Sequence, residues 1–169
     1  TSSGLTEGKH CSVCGMVLVA QEIIPPTSSS DGLEYRMDDE SKTCAVIGLG
    51  TYADSNVIIP KVLSNGYTVT EIGEKAFADC TATSIYIPDG IKKIGTRAFY
   101  NCANITEIHV PSSVTEIGTQ VFYKASNLNT VYYDSMYSNS DNPFLNIANI
   151  KKIVFGGKRV PDVIKSCNN

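Results

Sequence analysis

Val69-Thr70-Glu71-Ile72-Gly73-Glu74-Lys75-Ala76-Phe77 is followed by IKKIGTRAF at 91–99 and VTEIGTQVF at 114–122, and the three stretches superpose without a gap. Their phenylalanines, Phe77, Phe99 and Phe122, stand 22 and 23 residues apart. A fixed period of this kind marks an array of stacked units, each of which cannot bury its apolar face alone. A fourth unit, Pro143-Phe144-Leu145-Asn146-Ile147-Ala148-Asn149-Ile150, matches residues 98–105, but the residues before it, SMYSNSDN, have lost the Ile and the Gly.

Each unit reads as one coil of a solenoid. In Ile105-Thr106-Glu107-Ile108-His109-Val110 the final residues alternate, so Ile108 and Val110 point inward and His109 outward. Pro111 follows this strand, as Pro88 and Pro60 follow theirs, and removes a backbone donor where pairing should stop. Gly118 is expected to supply a bend that a side chain would hinder. The Ala-Phe pair then opens a tight turn with the Phe in the core. Stacking predicts internal ladders of Phe77/Phe99/Phe122/Phe144, Ile72/Ile94/Ile117 and Ile85/Ile108/Val131/Ile153. Cys80 and Cys102 share a column continued by Ala125 and Ile147, which suits buried free thiols acting as small hydrophobes. A disulfide between adjacent coils is the alternative, since strands spaced about 4.8 Å apart fall within disulfide range.

Composition narrows the function classes. The chain is 42% apolar and 18% charged, with a net charge of −3, and no apolar run approaches the length of a membrane span. The basic doublets Lys92-Lys93, Lys151-Lys152 and Lys158-Arg159 are scattered, which argues against nucleic acid as a partner. No basic stretch with an apolar segment precedes the repeats, so a secretory leader, if the full protein has one, is expected outside this stretch. His10 and His109 are the two histidines, and neither lies in a nucleophile elbow or a zincin helix. No catalytic residue is assigned and an enzyme is not expected. Asp38-Asp39-Glu40 lacks the alternating oxygen ligands of a calcium loop and reads as a solvated hairpin turn.

The ends differ from the repeats. Residues 26–32, PTSSSDG, have the composition of a linker. Ahead of them, residues 1–25 carry Gly8-Lys9-His10-Cys11-Ser12-Val13-Cys14-Gly15. Cys11 and Cys14 could form half of a zinc knuckle with His10 as a third ligand, but a structural zinc site needs about four ligands. A Cys11–Cys14 disulfide or free thiols is the expected state, and no cofactor beyond that candidate zinc is expected. Residues 33–68 are expected to form a capping β-meander and first strand, 69–155 the repeats, and 156–169 a C-terminal cap in which Val160, Val163 and Ile164 have helix-like spacing.

The outward strand positions form two stripes: Tyr86, His109, Tyr132 and Val154, with Ser84, Glu107, Thr130 and Lys152 two residues before each. Tyr and Thr favour exposed strands for reasons of packing alone. Aromatic rings with polar tips are also enriched at interfaces, and solenoids bind through extended surfaces. Tyr86, His109, Tyr132, Glu107 and Thr130 are therefore the candidate ligand-binding residues.

The pattern I-x-x-I-G-x-x-A-F-x-x-C-x-x-I-x-x-I-x-V-P resembles the repeat of BspA-like leucine-rich-repeat proteins from the surfaces of host-associated bacteria and some protists. Leu33-Glu34-Tyr35-Arg36 through residues 45–51 to Ile58-Ile59-Pro60 is similar to the segment that often opens such arrays. The resemblance covers about residues 33–155. The N-terminal segment is similar to a short Cys-x-x-Cys-Gly unit of multidomain secreted proteins from Gram-positive gut bacteria. The resemblance implies a β-rich right-handed solenoid of the leucine-rich-repeat (α/β horseshoe) class, with short strands and few helical turns. It also implies a secreted or cell-surface protein that binds or adheres. The expected partner is a host protein or glycan, with no membrane insertion in this segment and the chain a monomer. A structural spacer in a multidomain surface protein and an accessory module of a secreted enzyme are the competing roles.

Overall fold

The computed structural model describes Gly4–Leu5, Ile23–Ile24, residues 32–135 and residues 150–155. Among these residues the protein is built from strands and turns, with no helix and therefore none long and apolar enough to cross a membrane. Strands β1 (Gly4–Leu5) and β2 (Ile23–Ile24) form a separate antiparallel pair. β3 (Glu34–Asp38) and β4 (Thr43–Gly48) form an antiparallel hairpin. Its turn is closed by the Asp38 carboxylate, whose Oδ1 accepts from Glu40 N at 3.0 Å and Ser41 N at 3.3 Å. The acidic triplet is thus a hairpin turn, and Ser41, donating to Asp38 from both its hydroxyl and its backbone, holds that carboxyl below its ordinary pKa.

From β4 onward the coils contribute strands to two sides of the solenoid. β6 (Thr68–Ile72), β8 (Lys93–Ile94) and β10 (Glu116–Ile117) stack in parallel on β4, giving the order β10-β8-β6-β4-β3. On the other side β5 (Asn56–Ile58) pairs in parallel with β7 (Ser84–Tyr86), while β9 (Glu107–Val110), β11 (Thr130–Tyr133) and β12 (Lys152–Phe155) form a second parallel group. Parallel pairing follows from the repeat itself, because each strand returns to the same sheet one full coil later in the same direction.

The register carries the expected Ile72/Ile94/Ile117 ladder, whereas the other expected strand row is broken, because Ile85 pairs with Val57 and shares no ladder with Ile108. Ile72, Ile94 and Ile117 lie directly beside one another and are buried, and Val46 of β4 extends the row by one coil. Ile108, Val131 and Ile153 form the opposite row, with Val57 beside Ile85 in the other group. Phe77, Phe99 and Phe122 are buried to within 1% and their rings stack at 5.6 and 5.4 Å, with interplanar angles of 3° and 6°. Phe144 and the C-terminal tail expected to act as a cap lie outside the described residues, as do most of the fourth unit and most of the linker.

Residues 33–68 hold one antiparallel strand pair, β3–β4, and an isolated antiparallel bridge between Val62 and Thr68. The meander expected there narrows to the β3–β4 hairpin, because Val46 and Val57 already occupy core positions of a stacked coil and β4 joins the parallel sheet.

The glycine of the repeat has a different cause from the bend inferred for it. Gly73, Gly95 and Gly118 do not have a left-handed backbone; among the described residues the positive-φ glycines are Gly32, Gly50, Gly66 and Gly90. Instead, a Cβ on Gly95 would sit 2.6 Å from Glu74 N and from Gly73 C, and one on Gly118 would sit 2.4 Å from Thr96 N. Successive coils touch backbone to backbone at this point, where Gly95 N donates to Ile72 O at 2.7 Å and Gly118 N to Ile94 O at 2.8 Å. Left-handed residues occur elsewhere in each coil, at Lys75, Arg97 and Gln120 and again at Asp79, Asn101 and Lys124, and none of these is glycine.

Side chains also tie coil to coil. Asn104 Nδ2 donates to Thr81 O at 3.0 Å and Asn127 Nδ2 to Ala103 O at 2.7 Å, satisfying carbonyls that the turn leaves without a backbone donor. Cys44, Cys80 and Cys102 are buried free thiols. The Cys80 thiol donates to Cys102 Sγ at 2.9 Å, and Cys102 donates to Phe77 O at 2.9 Å. The neighbouring Cys80 thiol and burial together hold Cys102 far above the ordinary thiol range, which keeps it protonated and able to donate.

Candidate functional site

The candidate residues sit on the outer side of β7, β9 and β11. Strand alternation places them there: Ile108 and Val110 are buried while Glu107 is exposed and His109 half-buried, and Val131 and Tyr133 are buried while Tyr132 is 38% exposed. Register pairs Glu107 with Thr130 and His109 with Tyr132, and continues to Lys152 and Val154 on β12. The two stripes are therefore in register across these three strands.

Tyr86 is placed differently. It is half-buried on β7, whose hydrogen-bonded partner is β5, where Ile58 lies beside it. β7 and β9 lie side by side but share no strand ladder. His109, Tyr132, Glu107 and Thr130 are thus brought together by backbone pairing, and Tyr86 belongs to the neighbouring pair.

The ring of His109 meets the edge of Tyr132 at a centroid distance of 6.3 Å and an interplanar angle of 84°, the edge-to-face geometry that aromatic pairs favour. Its Nε2 lies 2.6 Å from Asp134 Oδ2, with both side chains about one-third exposed. A carboxylate only accepts, so Nε2 is the donor in this bond, and the imidazole is pinned in one orientation at the centre of the face. Thr130 Oγ1 is hydrogen-bonded to Asn129 Oδ1 at 2.8 Å, and Ser84 Oγ donates to Asn56 Oδ1 at 2.8 Å. The result is a small patch with an aromatic edge, an oriented imidazole–carboxylate pair and flanking hydroxyls.

Asp134 joins the patch although strand alternation does not point to it. It occupies the place held by Pro111 and Pro88 in earlier coils, where the strand was expected to end. Having a backbone N–H that proline lacks, it donates to Val110 O at 2.9 Å and carries the ladder one residue further. The substitution of Asp for Pro in an otherwise regular column was the available signal.

Among the described residues the other sheet presents no aromatic stripe. Its outer row is an alternating charge ladder in which Arg36 lies 3.4 Å from Glu71, and Lys93 lies 3.8 Å from Glu71 and 3.8 Å from Glu116. Such exposed pairs are worth about 0–1 kcal/mol each and leave this face electrically balanced. Among the described residues no group of three or more His, Cys, Asp or Glu is arranged to hold a metal. His10, Cys11 and Cys14 lie outside the described residues.

Comparison with solved structures gives the same architecture. A leucine-rich repeat protein from Bacteroides capillosus aligns over 77% of this chain and 98% of its own, with 22% identity and a TM-score of 0.68. A leucine rich cell surface protein from Faecalibacterium prausnitzii aligns over 78% of this chain and 43% of its own, at 22% identity and a TM-score of 0.55. A leucine-rich repeat protein from Eubacterium ventriosum aligns over 75% of this chain and 34% of its own, at 21% identity and a TM-score of 0.59. The chain thus spans under half the length of the latter two. No curated protein sequence matches it. The family model for the BspA type leucine rich repeat region matches residues 47–167 in six copies. Its start inside β4 agrees with the extra coil formed by Val46 and Val57. The chain is therefore a β-solenoid that belongs to the BspA-type leucine-rich-repeat family.

Proposed function

We propose that this chain is a secreted or cell-surface binding module that recognises a host protein or glycan through the outer face of β9 and β11, with Tyr86 at its margin. The observation that carries this reading is the His109–Tyr132–Asp134 cluster: an imidazole held by a carboxylate at 2.6 Å and packed against a tyrosine edge, on a face otherwise made of hydroxyls and single charges. Packing alone favours Tyr and Thr on such a strand, but it does not call for an oriented imidazole–carboxylate pair. Pre-orientation lowers the ordering entropy that a ligand must overcome on binding. The surface location draws support from the family and from the F. prausnitzii relative, which is described as a cell surface protein. The role is binding and not catalysis, the chain acts as a monomer, and its partner is not nucleic acid.

An array of extracellular-matrix proteins and mucin glycans tests this reading with wild type and the Tyr86→Ser/Tyr132→Ser double variant. Wild type is expected to bind at least one array component. The double variant should bind it more weakly while still melting cooperatively: at the exposed Tyr132 the change should shift stability within about ±0.5 kcal/mol, and at the half-buried Tyr86 it should cost about 1 kcal/mol. Equal binding by both proteins would assign recognition to another face. Failure of wild type to bind any component would favour the spacer role.

A further inference from the structure

A second surface lies on the turn edge of the coils, away from the strand face. Tyr100 and Tyr123 stack there with centroids 5.8 Å apart and an interplanar angle of 21°. Tyr123 covers one face of the Tyr100 ring. The next place in that column is Ala78, as the hydrogen bond from Asp79 N to Tyr100 O at 2.8 Å shows, so nothing larger than a methyl group continues the stack on the other side. Beside this ring, Asp79 Oδ1 accepts from Asn101 Nδ2 at 2.7 Å, leaving Asp79 Oδ2 and Asn101 Oδ1 without protein donors among the described residues. Arg97 directs its Nε to Gln120 Oε1 at 2.7 Å and holds its guanidinium 5.9 Å from the Tyr100 centroid, while Lys124 Nζ, hydrogen-bonded to Tyr100, lies 5.5 Å from the same centroid, so both cations flank the ring.

The turns of the coil position these side chains. Asp79, Arg97, Asn101 and Lys124 all have positive φ, between 54° and 63°. A residue with a Cβ costs roughly 1–2 kcal/mol in that conformation, a penalty glycine escapes. The same two turn positions are left-handed in three successive coils, at Lys75, Arg97 and Gln120 and at Asp79, Asn101 and Lys124, so the coil geometry sets this conformation and displays these side chains along the turn edge.

The chemistry displayed is mixed. Donors on Arg97 and Lys124 stand beside acceptors on Asp79 and Asn101, around an aromatic face. An anion would meet the Asp79 carboxylate, and an apolar segment would leave buried charges unpaired. A sugar satisfies all of it, because its C–H face packs on an aromatic ring and its hydroxyls both donate and accept. We propose that the turn edge around Tyr100 binds a neutral saccharide, with one pyranose on the ring and its hydroxyls shared among Asp79, Asn101 and Arg97. This site is independent of the strand-face reading.

Saturation-transfer NMR and calorimetry with chitotetraose, cellotetraose and a hyaluronan tetrasaccharide provide the test. At least one neutral tetrasaccharide should bind saturably, and Tyr100→Ser should weaken it by about tenfold or more, the scale of losing a central aromatic anchor. Because Tyr100 is half-buried, the double variant Asp79→Gly/Arg97→Gly serves as a fold-safe second test, glycine being the residue most at ease at those φ values. It should melt no lower than wild type and still lose affinity. The Tyr86→Ser/Tyr132→Ser variant should bind these sugars as wild type does, which separates this site from the strand face. The proposal is overturned if no neutral tetrasaccharide binds, if both turn-edge variants bind as wild type does, or if the hyaluronan fragment binds more tightly than the neutral sugars.

Discussion

Replacing Gly118 by Ala tests how the coils are held together. The added Cβ would lie 2.4 Å from Thr96 N and 2.7 Å from Gly95 C and Thr96 Cα, all of them backbone atoms of the preceding coil. No rotamer change relieves a clash with backbone. Restoring ordinary contact requires the two coils to separate locally by about 1 Å, which lengthens the 2.8 Å bond from Gly118 N to Ile94 O past the usual hydrogen-bond limit. Overpacking of this kind costs about 1–3 kcal/mol and the weakened hydrogen bond about 1 kcal/mol. Ala recovers about 0.4–1 kcal/mol by restricting the unfolded chain. The net loss is about 2–3 kcal/mol, and at roughly 2–4 °C per kcal/mol it lowers the melting temperature by about 5–10 °C. Gly66→Ala is the control: its φ is +88° and nothing lies within 4 Å of the added Cβ, so it carries backbone strain but no collision. Thermal unfolding followed by circular dichroism measures both. If Gly118→Ala melts within 2 °C of wild type, or no lower than Gly66→Ala, close coil apposition is not the reason for this glycine.

Phe99 is fully buried between two parallel rings, so Phe99→Ala removes its own burial and one stacking partner from each of Phe77 and Phe122. A loss of about 3–5 kcal/mol is expected, and a urea midpoint close to wild type would contradict the ladder. Thiol titration in denaturant without reductant should find Cys44, Cys80 and Cys102 all reactive, and loss of Cys80 and Cys102 together would reveal a bridge between coils. Asn127→Ala removes the donor to Ala103 O and should cost about 1 kcal/mol, measured by the same urea titration, with no effect expected for Asn65→Ala, which caps an exposed turn.

Much of this architecture was legible because a repeat states the same packing rule several times. The spacing of Phe77, Phe99 and Phe122 alone identifies a shared column, and the alternation in residues 107–110 identifies inside and outside. Gly118 was harder to read. A glycine can signal a left-handed backbone or a close approach, and only coordinates distinguish Gly66 from Gly118. The left-handed positions were invisible for the complementary reason, since Lys75, Arg97 and Gln120 have no compositional mark of that conformation. The first coil was hidden because its core positions, Val46 and Val57, replace the Ile of later coils and lack the Gly-x-x-Ala-Phe signature. In the candidate site, alternation places Glu107, His109, Thr130 and Tyr132 on one side of the sheet. Asp134 and the separation of Tyr86 from the β9–β11 ladder depend on where hydrogen bonding begins and ends, which period alone does not specify.

Amide chemical-shift mapping tests the binding account most directly. The ¹⁵N-labelled protein would be titrated with the strongest binder from the matrix-protein and mucin-glycan array. The account predicts that perturbed amides concentrate at residues 107–110 and 130–134, with the His109 ring signals shifting at the same ligand concentrations. Perturbations confined to the charge ladder of Arg36, Glu71, Lys93 and Glu116, with 107–110 and 130–134 unmoved, would contradict it.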